Sequence, residues 1–115
     1  TLTLLASLLV ETGRFEEARA AAAEARAICL PALGATHWRT AAATSTEGAA
    51  LVGLGQTAQG AKLLVEGLAA LRADTGALPF FLDNATRWAE EYQRKRTTAQ
   101  DAVKQTAMLQ GNKGS

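Results

Sequence analysis

The sequence holds one cysteine, one histidine and two prolines among its 115 residues. A single cysteine, Cys29, permits no internal disulfide and no four-cysteine metal site, and it fits a reducing compartment. A single histidine, His37, has no serine or cysteine nucleophile pattern around it, so no acid–base or nucleophilic constellation forms on it. Charge of either sign is not in excess: 12 Lys and Arg face 11 Asp and Glu. That balance argues against nucleic acid or an anionic membrane as the main partner. No apolar run approaches the roughly 20 residues that cross a bilayer, and no secretory leader pattern is present. A cytoplasmic location is the expectation.

Alanine and leucine are what the chain does contain. Apolar residues reach 48% while aromatics make up only 5%, a balance that suits close helix packing better than a β-sandwich. No segment alternates apolar and polar residues as a half-buried strand would. The spacing predicts an all-α chain of about six helices. Leu2, Leu5, Ala6 and Leu9 mark the first, which Gly13 stops. Ala18, Ala22, Ala25 and Cys29 form the stripe of the second, with Glu16, Glu17 and Glu24 toward its positive N-terminal end and Pro31 and Gly34 at its exit. The third is expected to start near Thr36 as N-cap and to end at Gly55. Leu63, Leu64, Leu68 and Leu71 build the fourth, ending by Thr75 and Gly76. Pro79 opens the fifth, where its missing N–H costs nothing. A sixth is expected after Thr97 or Thr98, with Ala102, Val103, Thr106 and Ala107 as a thin stripe.

Two landmarks repeat at one offset. Gly13 and Gly55 are 42 residues apart, and so are Gly34 and Gly76. Each unit is then a helix, a glycine turn, a helix and a longer loop with its own glycine. Leu2, Leu5, Ala6 and Leu9, followed by Gly13, Phe15, Ala18, Ala22 and Ala25, resemble the tetratricopeptide pattern. In that pattern small residues sit where two antiparallel helices cross. The second unit keeps Gly48, Leu51, Gly55, Leu64 and Gly67, and departs at Glu47, Thr57 and Gly60. The third keeps Trp88, Ala89 and Tyr92 but has no glycine near Arg96. A period of 42 exceeds the usual 34, and the loop LGATHWRTA is similar to those of kinesin-light-chain-like tetratricopeptide repeats, with Trp38 in place of the loop proline. The resemblance implies an α-solenoid over residues 1–110, in units 1–34, 35–76 and 77–110, with a capping third unit and a disordered tail at 111–115. It also implies a place among bacterial multidomain signalling proteins. The periodic pattern is already under way at Thr1, so the segment is expected to be the C-terminal part of a longer array.

No residue is assigned to catalysis, to a cofactor or to a metal. His37 is read as a capping or packing residue, and Cys29 as a small buried hydrophobe rather than a reactive thiol. Gly53, Gly55 and Gly60 lack the lysine and the preceding strand of a phosphate loop. Glu90 and Glu91 are adjacent and diverge by about 100° on a helix, so they do not form a paired-carboxylate site. In RWAEEYQRKR, Trp88 and Tyr92 are placed on the core stripe and the charges on a solvated or ligand-facing side.

By the resemblance, the first helix of each unit lines a concave peptide groove. The candidate groove residues are Ser7, flanked by Thr3 and Val10; Ser45 and Ala49, with Ala42 and Val52; and Asp83, Thr86, Arg87, Glu90 and Arg94. The arginines could hold a carboxylate in a bidentate grip. The leading expectation is a non-catalytic protein-interaction module for a protein or peptide ligand, with no nucleic-acid or membrane partner. A structural spacer or self-associating unit is the alternative, and a small-molecule-sensing or enzymatic domain the third. If the alanine stripe marks a close helix crossing, Ala18→Leu or Ala25→Leu overpacks it and lowers stability by about 1–3 kcal/mol. An unchanged melting temperature would rule the crossing out.

Overall fold

The computed structural model describes residues 2–113, and in them the chain forms five α-helices and no strand: α1 (Leu2–Glu11), α2 (Phe15–Leu33), α3 (Trp38–Gly53), α4 (Thr57–Ala73) and α5 (Pro79–Lys113). Its two first turns repeat at the expected period. α3 ends and α4 begins 42 residues beyond the end of α1 and the start of α2. Gly13 and Gly55 take φ of +79° and +88°. At the first turn the Gly13 N–H donates to Val10 O and the Arg14 N–H to Leu9 O, and at the second Gly55 and Gln56 donate to Val52 O and Leu51 O in the same way. This is the αL helix stop that glycine makes without steric cost.

The third unit departs from that plan. Position 97, a further 42 residues on, is threonine, and a left-handed backbone there would cost roughly 1–2 kcal/mol. The helix therefore does not turn: α5 continues for 35 residues. Thr97 and Thr98, expected to cap a sixth helix, instead donate their hydroxyls back to Gln93 O and Arg94 O, at 3.0 Å each, as threonines do inside a helix. The count among the described residues is thus five helices, not six. The helix also runs through 111–113, in the stretch expected to be a disordered tail; Gly114 and Ser115 lie outside the described residues.

Smaller boundaries shift as well. α3 starts at Trp38 rather than near Thr36, and its N-cap is His37, whose Nδ1 accepts the Arg39 N–H at 3.1 Å. This is the capping role expected of the only histidine. Pro31 lies inside the last stretch of α2, which ends at Leu33 with Gly34 as the stop. Gly34 has φ of +87° whereas Gly76 is not in that region, so the second glycine pair repeats in sequence but not in conformation.

α3 is the central helix. Every residue from Thr40 to Thr46 on it is buried. α2 and α4 pack along it, and α1 and α5 lie against it as well. The alanine stripe of α2 serves this packing: Ala18 and Ala22 are fully buried and Ala25 nearly so. Cys29, expected on the same stripe, is only half-buried, and Leu5, expected in the core, is 49% exposed. Three of the buried hydroxyls on α3 bond within the helix: Thr44 donates to Thr40 O, and Ser45 and Thr46 both donate to Ala42 O, whereas the buried Thr40 hydroxyl has no hydrogen-bond partner among the described residues. Val10, Ala18, Ala49, Ala50, Leu64 and Trp88 form one core cluster; Ala41, Ala42, Leu68, Leu71 and Ala85 form the other. No helix among the described residues is long and apolar enough to cross a membrane.

Glycine sets the α3–α4 distance. A Cβ on Gly67 would stand 2.8 Å from both the Cβ and the N of Ser45 and 2.9 Å from Ala41 O, and one on Gly48 would stand 2.7 Å from Gly60 O. Most of these neighbours are backbone atoms, which cannot swing aside. Gly67→Ala gains up to about 1 kcal/mol of helix propensity, but overpacking costs about 1–3 kcal/mol. We predict a net loss in denaturant midpoint for Gly67→Ala. A gain would show that the crossing is looser than described.

Candidate functional site

The faces that α3 offers to α4 explain where the expected groove residues fall. Gly60 meets Gly48 and Val52, and Gly67 meets Ala41 and Ser45. Forty-two residues on from Ala41, Ser45, Gly48 and Val52 stand Asp83, Arg87, Glu90 and Arg94. All four are exposed. On α3 this face is small and covered by the next helix; on α5 it is charged and no helix covers it. These four residues thus occupy the positions of α5 that correspond to the α4-facing side of α3. Ser45 is buried at the α4 contact, and Ser7 is buried with its hydroxyl donating to Thr3 O at 2.9 Å. Neither lines an open surface. Thr86 is half-buried and donates to Leu82 O at 2.8 Å. Of the positions expected to face the groove, Val10, Ala49 and Val52 border the cleft described next.

That cleft, of about 1140 Å³, opens between the turn ends of the first two hairpins and the overhanging part of α5. Its floor is Val10, Phe15, Ala49, Val52, Leu64 and Trp88, with Tyr92 at the base of the overhang. Lys95, Arg96, Ala99, Gln100, Val103 and Lys104 form the far wall. Sequence differences between the units account for the opening. In the first unit the Phe15 ring lies on Gly53, so closely that a Cβ there would stand 2.4 Å from it. In the second, Thr57 holds the place of Phe15 and Lys95 the place of Gly53. Both border the cleft, and the aromatic that would close it is missing.

One edge of the cleft is fixed by a polar network that links α1 to α5. Arg87 donates through Nη1 to Glu11 Oε2 at 3.0 Å and through Nη2 to Glu11 Oε1. Its Nη2 also donates to Asn84 Oδ1, and the Trp88 indole N–H donates to Glu11 Oε1 at 3.1 Å. The fork of Arg87, expected to hold a ligand carboxylate, is therefore filled by Glu11. Hydrogen bonding from Arg87, aided by Trp88, holds the Glu11 carboxyl below its ordinary value against the opposing effect of burial. The same bond raises Arg87 further above its ordinary value. Sequence reading missed Glu11 because its partner lies in the last helix, with nothing local to signal the pair.

At the other end of the molecule, Asp74 ties two loops. Its Oδ1 accepts the Gly76 N–H and its Oδ2 the Trp38 N–H, both at 2.9 Å. The second bond satisfies an open donor in the first turn of α3. The Asp-Thr-Gly triplet signals the local half of this arrangement, an Asx turn, but not the bond to Trp38. Trp38 packs on Phe81 at 6.0 Å between centroids, and the Arg39 guanidinium lies 5.3 Å from the centre of the Trp38 ring. Glu47, one of the departures in the second unit, accepts from Arg26 of α2 at 3.4 Å. No group of three or more metal-ligating side chains occurs among the described residues.

The lowered Glu11 value fixes the sign of a pH effect. The stabilisation is complete above the ordinary carboxylate pKa and is lost as pH falls through the lower folded one. Both side chains of the pair are more than one-third exposed, so its worth is about 0.2–1 kcal/mol. Glu11→Gln should lower stability by that amount at neutral pH, and the variant should lose less than the parent between about pH 5 and pH 3. Parallel pH profiles of the melting temperature would contradict the pairing. Comparison of the chain with protein-family models, with curated proteins and with solved structures finds no match.

Proposed function

We propose that the chain is a non-catalytic protein-interaction module of the tetratricopeptide type, which binds a protein or peptide segment in the cleft beside α5. The cleft itself carries this reading. At about 1140 Å³ it exceeds the 300–1,000 Å³ usual for small-molecule sites, and its floor is apolar. Support for the repeat type comes from the turns duplicated at a 42-residue offset and from the packing of α1, α3 and α5 side by side. On the resemblance, we place the module in a bacterial cytoplasmic signalling or scaffold protein. Selection of peptides from a random display library on the immobilised chain tests the reading. Enriched peptides should lose affinity for Thr57→Trp, which fills the cleft from an exposed position, and keep it for Phe80→Ser at the far end. No enrichment, or binding indifferent to Thr57→Trp, would refute it.

Self-association is a second reading with its own observation. Leu5 and Leu8 of α1 are 49% and 54% exposed. Their counterparts 42 residues on, Glu47 and Ala50, are covered by α2, Glu47 through Arg26 and Ala50 in the cluster that holds Ala18. The leucine face is thus one that accepts a helix on α3. Light scattering over a concentration series should show a mass increase that Leu5→Lys with Leu8→Lys abolishes. A constant monomer mass would remove this reading.

A further inference from the structure

The cleft differs from its surroundings in charge, and this sets the chemistry of its occupant. The whole chain is nearly neutral, yet the far wall of the cleft carries Lys95, Arg96 and Lys104. Two acids border the same space, Glu11 and Glu91. Glu11 is neutralised by Arg87, which leaves an excess of positive charge over an apolar floor. We infer that the cleft takes an acidic amphipathic helix from a protein partner, its apolar side on Phe15, Val52, Ala99 and Val103 and its carboxylates on Lys95 and Lys104. The inference rests on the reading of the cleft as a protein-binding site.

Three features favour a helix over other anionic ligands. First, the far wall is itself a helix surface whose apolar residues, Ala99 and Val103, are one turn apart, the spacing that another helix packs against. Second, an extended peptide needs partners for its backbone along its whole length, and the neutral polar groups of the lining are few: the hydroxyls of Thr57 and Tyr92, the Gln100 amide and the Trp88 indole N–H, which is already bonded to Glu11. A helix satisfies its own backbone and presents side chains alone. Third, a single-stranded nucleic acid would stack its bases on aromatic faces, but Trp88 is 6% exposed, and Phe15 and Tyr92 are half-buried against the core cluster. Their rings belong to the core. Lys95 and Lys104 are nine residues apart, about 14 Å along the helix and about half a turn around it, so they flank the Ala99 and Val103 stripe and would meet carboxylates on the two sides of the partner's apolar stripe.

Binding of labelled peptides to the full chain, followed by fluorescence anisotropy, tests this. The probes are a helical peptide of about 18 residues with leucine on one stripe and glutamate beside it, the same peptide with lysine for each glutamate, and an oligothymidylate. The glutamate peptide should bind about tenfold or more tighter than the lysine peptide at low salt. Added salt should shrink that ratio, and Lys95→Glu with Lys104→Glu should reverse the order. Both positions are exposed, and circular dichroism of the variant verifies its fold. Equal binding of the two peptides would overturn the charge inference and leave the cleft reading standing. Binding of neither would overturn both. Oligothymidylate binding more tightly than the glutamate peptide, and lost in the variant, would overturn the inference in favour of nucleic acid.

Discussion

The close crossing of α3 and α4 is the contact on which the rest of the structure depends. It is made by glycines, Gly48 against Gly60 and Gly67 against Ser45, so the two backbones approach to distances that leave no room for a Cβ. That approach places α3 at the centre of the molecule, with α2 on it from one side and α4 from another. Since glycine and alanine bury little apolar area each, the hydrophobic contribution at about 25 cal/mol per Å² falls on the larger residues beside the crossing: Leu64, Leu68, Leu71 and Trp88. Small residues set the distance and large ones supply the stabilisation.

The same logic shows how the pattern ends. On α5 the positions that would pair with a next helix are Asp83, Arg87, Glu90 and Arg94, and the position that would turn the chain back is Thr97. Both changes act together. Charges on the pairing face would have to be desolvated by a returning helix, and threonine resists the left-handed turn. α5 therefore runs on past the turn ends of the earlier hairpins, and the space between is the cleft. The cleft and the charged face are two results of one departure from the repeat, and the Arg87–Glu11 bond holds the base of α5 to α1 beside them.

Much of the fold was legible in the sequence because its signals are local. Glycine at 13 and 55, the alanine stripe of α2 and Pro79 at the first position of α5 each act within a few residues of themselves. The break expected near Thr97 failed for a local reason too: the apolar spacing predicted a sixth helix after it, but no residue there could turn the chain. The candidate site was read less well. Asp83, Arg87, Glu90 and Arg94 do share a face, as their spacing indicates, but the face was assigned to a groove when its counterparts on α3 meet α4. Telling the two apart needs the crossing geometry of Gly60 and Gly67, which no single helix reveals. Glu11 was passed over, and Thr57 was read only as a departure from the pattern, because their importance lies in contacts across the fold, and in what Thr57 is too small to fill.

The continuity of α5 is the claim from which the cleft follows, and backbone NMR tests it most directly. Cα secondary shifts from Arg94 through Gln100 should remain helical without interruption across Arg96, Thr97 and Thr98. Loss of helical shifts at those residues, with helix resuming after them, would mean that the chain turns there, that a sixth helix exists, and that the cleft described here is closed by it.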